Sequence, residues 1–506
     1  MGMDALEQLK QDVHDGAIGL DRLVDLVVAL QRQLQATLSE LAAAKQRIQE
    51  LEQRLGGTTA KVAEAFSLRA EEKRQEARGQ KKPKKTRKGR RGRLSSADKV
   101  KLAERTEKVF PDNVAPDNCQ LSHTRPIWRL ENGRAVLIAY EIYRGPNQQY
   151  GKVRGVLGRS EFGMEIVVQI AYLVYIVGLS FDKVCLVMQF LQNLRLSKTQ
   201  ADVLLRQLSR HWQREFDVLC TLLANALVVH TDETSWSLNS VWAFLSEQAR
   251  VILFGVHKDA ETLQHLLDPE TFAGLVISDD AAVYANFGQA QKCWAHLLRK
   301  AIKLTLQAPD NATYRQLTDR LLEIYRQACA VQRDGRLGDA GRARKAGLLD
   351  DAILDLCAPL WATLPPPGEG PENDFRLLVN EVLRLMLAKQ LFTFVTAAPA
   401  TQPNQRSQPV AGTNNEAERT LRSPAEARKT GRTNKTVVGA RRQTVIVSVL
   451  ESLRVYLPRF TLASVLEEVD RWWEAGQSCF TKLLKKLKLP FPSESILDKV
   501  LPIPDG

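Results

Sequence analysis

The sequence predicts an α/β core, a mixed sheet with flanking helices, which is interrupted by a helical insertion and preceded by a coiled-coil helix and a mainly helical region. Three observations carry this reading. Short apolar runs at 227–232, 241–246, 250–256 and 274–279 are separated by polar turns and have the length of strands. From 301 to 408 the pattern turns helical and contains a Pro-Pro-Pro-Gly-Glu-Gly-Pro break at 365–371. Near the amino terminus Val27, Leu30, Leu34, Thr37, Leu41, Ala44, Ile48, Leu51 and Leu55 alternate at spacings of three and four, a heptad seam that Gly56 and Gly57 end.

Taken in order, residues 1–57 are the amino-terminal helix and expected coiled coil, and 58–95 a basic linker. Within the linker, residues 73–93 hold twelve Lys or Arg and one Glu, a local charge of +11 out of +13 for the whole chain. Pro83 and the glycines at 79, 89 and 92 keep a long helix from forming there. A near-neutral protein with a polycation inserted in it points to a tethered polyanion-binding segment. Its contacts would come from Lys81, Lys82, Lys84, Lys85, Arg87, Lys88, Arg90 and Arg91, and would be blind to sequence and sensitive to salt.

Residues 96–222 read as mixed at first and then mainly helical. Ser180 and Ser197 each stand where a helix N-cap would, one short helix and a turn apart. That spacing is compatible with a helix-turn-helix whose second helix opens with Lys198, Thr199 and Gln200. Residues 223–300 are the first part of the sheet core: three strands, a helix over 259–267, a strand ending at Asp279, a short strand at 290–293 and a helix from Trp294. This is the chain order of a ribonuclease H-like sheet. The helical insertion follows at 301–408, the second part of the core at 409–456, and a helical tail at 457–506.

Composition excludes several classes. Over 506 residues, 44% hydrophobic and 25% charged side chains exclude a wholly disordered or fibrous chain. The seven cysteines include no Cys-x-x-Cys pair, which argues against a zinc ribbon and for a reducing compartment. The amino terminus is acidic and amphipathic, unlike a secretory signal, and the most apolar run, 166–177, is too short to span a bilayer. The expectation is a cytoplasmic protein without a membrane partner.

A strand that ends in Asp presents that carboxylate at the carboxyl edge of its sheet, where a site can form. Asp232 and Asp279 both stand so, and on an extended chain Glu233 and Asp280 would point to the opposite faces. A third acid from a returning helix would complete an oxygen-only set able to hold two magnesium ions roughly 3.5–4 Å apart. Alone, either strand-end Asp could equally cap a turn.

Four segments, HTDETSW (230–236), VISDDAAVY (276–284), QKCWAHLLRK (291–300) and TNNEAERTLR (413–422), together resemble the transposases of the insertion sequence 66 family, in order and spacing. The resemblance implies a DDE-type enzyme on a ribonuclease H-like core, with Asp232, Asp279 and Glu418 as the catalytic and metal-holding acids. Asp280 falls where that family has Gly, which leaves 279 and 280 as alternatives. Cys293 and His296 match a Cys-x-x-His element. With no further Cys or His nearby, it is expected to be structural or DNA-positioning. Arg419, Arg422, Arg428 and Lys429 follow the catalytic Glu as candidate phosphate contacts. The family's zinc ribbon is reduced here to Cys119, and Thr413 replaces its usual Asp.

The resemblance implies a bacterial, nucleoid-associated transposase. It would bind terminal inverted repeats and target DNA as a homodimer or higher oligomer, beside small accessory proteins of the same element. It would use two Mg2+ ions, with Mn2+ as a substitute, to cleave element ends by hydrolysis, and would join the 3′-hydroxyl to target DNA by transesterification. The alternatives are a catalytically silent DNA-binding regulator of the same fold, and a ribonuclease H-like nuclease without strand transfer.

Overall fold

Asn132 and Gly133 adopt φ values of 50° and 81°, the left-handed pair that a two-residue hairpin turn requires. They join strands β2 (Gln120–Glu131) and β3 (Arg134–Arg144), which pair antiparallel. Strand β1 (Arg105–Val109) adds to β3 in parallel, giving a three-stranded sheet of order β1-β3-β2. The region 96–222, read as mixed at first and then mainly helical, thus opens with a short helix at Ser96–Lys101 and a three-stranded sheet before its long helices. The cause is local: the run Ala135 to Tyr140 is apolar, rich in β-branched and aromatic residues, and almost wholly buried.

The computed structural model describes residues 94–397 and 409–502, with positions 28, 31–32, 35–39, 42 and 46, all helical, in the amino-terminal segment. Apart from Thr37 the expected coiled-coil seam lies outside the described residues, as does the whole basic run 73–93. The chain divides into two compact units. The first is Met1–Arg93 with Thr363–Leu377, whose described parts are those helical positions and the loop leading into a helix that starts at Pro371. The second, Leu94–Ala362 with Leu378–Gly506, holds both sheets.

After β3 come helix α1 (Met164–Ala171), a π-helical turn at Tyr172–Ile176, α2 (Phe181–Gln192) and α3 (Lys198–Ala224). Ser180 accepts from the Lys183 N–H, and Ser197 forms a capping box with Gln200, so both serines cap as expected. Between α2 and α3 the chain turns at Asn193 in the left-handed conformation. Helix α3 buries Leu204, Leu208, Trp212, Phe216, Leu219 and Leu223 along one stripe.

The second sheet has five strands in the order β6-β5-β4-β7-β8. β4 (Val228–Ser235), β5 (Ser240–Ser246) and β6 (Arg250–Val256) are antiparallel to one another in succession, whereas β7 (Leu275–Ser278) and β8 (Ala290–Lys292) run parallel to β4. Every residue of β5 is buried, including Trp242 and Phe244, which stack at 5.5 Å. Helix α4 (Ala260–Leu266) lies between β6 and β7, and α5 (Trp294–Gln307) follows β8. Helices α6 (Ala312–Arg333), α7 (Asp339–Ala362) and α8 (Pro371–Leu387) come next, before α9 (Asn415–Lys429) returns to β4 and β5.

Both sheet edges are covered. Helix α10 (Val437–Tyr456) runs along β6, and Thr444, Ser448 and Ser452 accept from the N–H groups of Phe254, Ile252 and Arg250 at 2.9, 2.9 and 3.0 Å. The fit is geometric: four helical residues rise about 6 Å, close to the length of two strand residues. At the other edge the Lys292 N–H donates to the Gln390 carbonyl at 2.8 Å, and the Gln291 side chain is held by the backbone of Leu391 and Phe394. These contacts replace the partner strand that each edge lacks.

Candidate active site

The register between β4 and β7 places the acids. Val228 pairs with Leu275, Val229 with Val276 and His230 with Ile277. The same offset of 47 sets Asp232 level with Asp279 just past the end of the paired segment, and residues level with each other on parallel strands face the same side. Asp280, the alternative second acid, turns away and forms an ion pair with Arg384 of α8. The Asp279 carboxylate accepts from the Ala281 N–H at 3.1 Å, which holds the loop after β7.

Glu418 lies in the first turn of α9, and that helix is clipped to the strand carrying Asp232. Asn414 is fully buried. Its side-chain amide donates to the Thr231 carbonyl at 2.7 Å, and its backbone N–H donates to Cys293 Sγ at 3.1 Å. Asn414 stands at the N-cap of α9 but makes no side-chain cap bond to the helix; its side chain is turned to β4 instead. Glu416, two residues before Glu418, pairs with Arg250 on β6. With Arg250, Arg419 and Arg454 it lines a cavity of about 700 Å³ on the other face of α9.

The three acids share one electrostatic environment. Burial, then the charges of Glu233, Asp279 and Glu418, push the Asp232 carboxyl up to about 7, against the pull of the Glu233 N–H on Asp232 Oδ1 at 3.0 Å. Glu233 is nearly inaccessible and accepts from the Tyr284 hydroxyl and, at 2.6 Å, from Lys258 Nζ. Carboxylates that feel one another's charge at one sheet edge, with one retaining its proton near neutrality, are oxygen donors of the kind that suits a hard divalent cation. Asp232, Asp279 and Glu418 fit that requirement.

Residues 159–442, more than half of the chain, match the Transposase IS66 family. The chain belongs to the IS66 transposase family. No curated protein matches it. In this IS66-family chain the other sequence-predicted residues take varied places. Lys198 is exposed and pairs with Asp182 at 2.7 Å across the two capped helices. Arg419, Arg422 and Lys429 are exposed on α9, whereas Arg428 is tied to Ser235 at the end of β4. Lys81, Lys82, Lys84, Lys85, Arg87, Lys88, Arg90 and Arg91 lie outside the described residues.

Cys293, just after β8, is the N-cap of α5 and His296 occupies its first turn, so the Cys-x-x-His pair shares one side of the helix start. The expectation that no third ligand lies nearby considered only Cys and His. Folding brings Glu418 to the pair, and the donor atoms of all three lie within 4.8 Å of one another. Sequence reasoning also missed Arg299, which pairs with Glu418 from the next turn of α5, and Lys258 beside Glu233. Arg299 lies within the quoted QKCWAHLLRK segment. Its partner, 119 residues away, gave no local signal.

Proposed function

We propose that this protein is a DDE transposase of a bacterial insertion sequence, acting through Asp232, Asp279 and Glu418 on a ribonuclease H-like core formed by 223–300 and 409–456. Membership in a family of transposases makes DNA the substrate class. The single observation that carries the finer reading is the level placement of Asp232 and Asp279 on adjacent parallel strands, with the Glu418 helix clipped to the first of them. The strand order, three antiparallel strands extended by two parallel ones, supports the core assignment.

Asp232, Asp279 and Glu418 would hold two magnesium ions, which supply Lewis-acid activation of the attacking oxygen and charge stabilisation at the scissile phosphate. The residues of the chain do the rest. The Asn414 clip fixes where Glu418 projects. Lys258 and Tyr284 hold Glu233 against the back of the cluster, which sets how readily Asp232 gives up its proton. Exposed Arg419, Arg422 and Lys429, with Lys198 and the basic residues of 73–93, would contact phosphates and so align element ends and target. Water is the nucleophile in end cleavage, and the freed 3′-hydroxyl in joining to a target phosphodiester. We further assign 96–222 to recognition of inverted repeats, 301–408 to an insertion in the core, and 1–57 to assembly of two or more protomers. Accessory proteins of the same element would act beside it. No described helix is long and apolar enough to cross a membrane.

The test is strand cleavage on DNA carrying the gene's own flanks, with magnesium, comparing the parent with Glu418→Gln. Nicks at the element ends that vanish in the variant and with chelator support the assignment, and joined products separate a transposase from a nuclease. Binding of those ends without cleavage would replace it with the silent regulator. Cleavage that survives in Glu418→Gln would show that another acid is the third ligand.

A further inference from the structure

One cluster is left unexplained by the DDE reading. Cys293, nearly inaccessible, and His296, half-buried, stand three residues apart at the start of α5, and Glu418 meets them from the first turn of α9. Their ligand atoms lie within 4.8 Å of one another. In a tetrahedral zinc site, bond lengths of about 2.0–2.3 Å put donors about 3.3–3.8 Å apart, so adjustments of roughly 1 Å would bring these three onto a common ion. His296 Nδ1 is buried and has no hydrogen-bond partner; it stands 3.6 Å from Glu418 Oε1, too far for a hydrogen bond. Cys293 Sγ accepts from the Asn414 N–H at 3.1 Å, the kind of outer contact that orients a metal-bound thiolate.

We propose that Cys293, His296 and Glu418 form a zinc site, and that a bound zinc ion withdraws Glu418 from Asp232 and Asp279 and so switches off the magnesium-dependent reaction. The second half rests on the DDE reading; the first does not. A thiolate, an imidazole and a carboxylate carry a combined charge of −2, matching Zn2+, and their softness selects zinc over magnesium, which prefers oxygen ligands and retains its waters. The fourth position is left to water. Arg299, which pairs with Glu418, has a half-exposed side chain that can swing into solvent. One carboxylate cannot serve both ion sets at full strength, so occupancy of either site weakens the other by the same factor.

The test uses the full chain with cobalt(II) as the spectroscopic probe for zinc. A thiolate-to-cobalt charge-transfer band should appear at one equivalent and be displaced by zinc. It should be lost in Cys293→Ser but kept in Cys119→Ser. His296→Gln removes a side chain without a hydrogen-bond partner and should leave the fold intact. It should weaken cobalt binding by more than the roughly 10–100-fold that even a supporting partner contributes. In the nicking assay at fixed magnesium, equimolar zinc should slow the parent by a factor of about 5–150, the range of ordinary coupling between two ligands. In His296→Gln the ratio of rates with and without zinc should return to near one. A missing band, or one that survives Cys293→Ser, overturns the site. Binding that leaves nicking unchanged overturns the withdrawal of Glu418. An intact band in a protein that never nicks DNA supports the zinc site and counts against the transposase mechanism.

Discussion

Magnesium binding at Asp232 should be linked to loss of a proton. The Asp232 carboxyl is pushed up to about 7, first by burial and then by Glu233, Asp279 and Glu418. Magnesium takes the ionised form, so binding must expel the proton. With a value of about 7, some 90% of molecules carry that proton at pH 6 and about 10% at pH 8. Magnesium binding should therefore release close to one proton at pH 6 and close to none at pH 8. Apparent affinity should fall about tenfold per pH unit below 7, each decade corresponding to about 1.4 kcal/mol. The sign for stability follows: the folded-state value lies above the ordinary 3.8, so stability is greatest below pH 4 as far as this group is concerned, and is lost as pH rises through about 7. Calorimetric titration with magnesium in two buffers of different ionisation heat measures the proton count directly. Proton release that is absent at pH 6, or unchanged in Asp232→Asn, would refute the reasoning.

Three further outcomes are expected. Glu233→Gln removes the like charge nearest Asp232 in effect, so the plateau of magnesium affinity should move to lower pH in the same titration. Ser448→Ala leaves the Ile252 N–H without its acceptor on a covered edge, and should cost about 1–3 kcal/mol in guanidinium unfolding; an unchanged midpoint would mean the hydroxyls do not secure that edge. Deleting 79–93 removes nine Lys or Arg, and the slope of log affinity against log salt should become shallower by up to about 8, at ~0.9 per phosphate contact. An unchanged slope would show that these cations do not touch the backbone.

How much of this was legible in the sequence depended on distance along the chain. The strands ending in Asp232 and Asp279 could be read locally, because apolar runs bounded by turns identify themselves. Their level placement needed the register, which only pairing with β7 fixes. Glu418 could be matched by motif but not by periodicity, since it lies 139 residues beyond Asp279 with the helical insertion between them. Asn414 is the clearest loss. An Asn before a helix reads as an N-cap, and nothing nearby shows that Thr231, 183 residues earlier, claims its amide. The same holds for Asp280, whose partner Arg384 lies 104 residues on, and for Arg299 with Glu418. The β1-β3-β2 sheet was read only as a mixed opening to 96–222, without its strands, for a different reason. Its apolar run is short and followed by strongly helical sequence, and a region-wide reading let the helices outvote it.

The covered edge of β6 bears on how the chain is made. The hydroxyls that close that edge lie 190–202 residues downstream of the N–H groups they accept from. At about 5–20 residues per second, a ribosome needs roughly 10–40 s to deliver them. Throughout that interval the nascent sheet offers a row of open donors at 250, 252 and 254, a ready template for pairing with any other unfinished chain. A chain released early, short of Thr444, would keep that template permanently. One released before Asn414 would also lack Glu418, the proposed third acid, and on that reading would be adhesive and inert together.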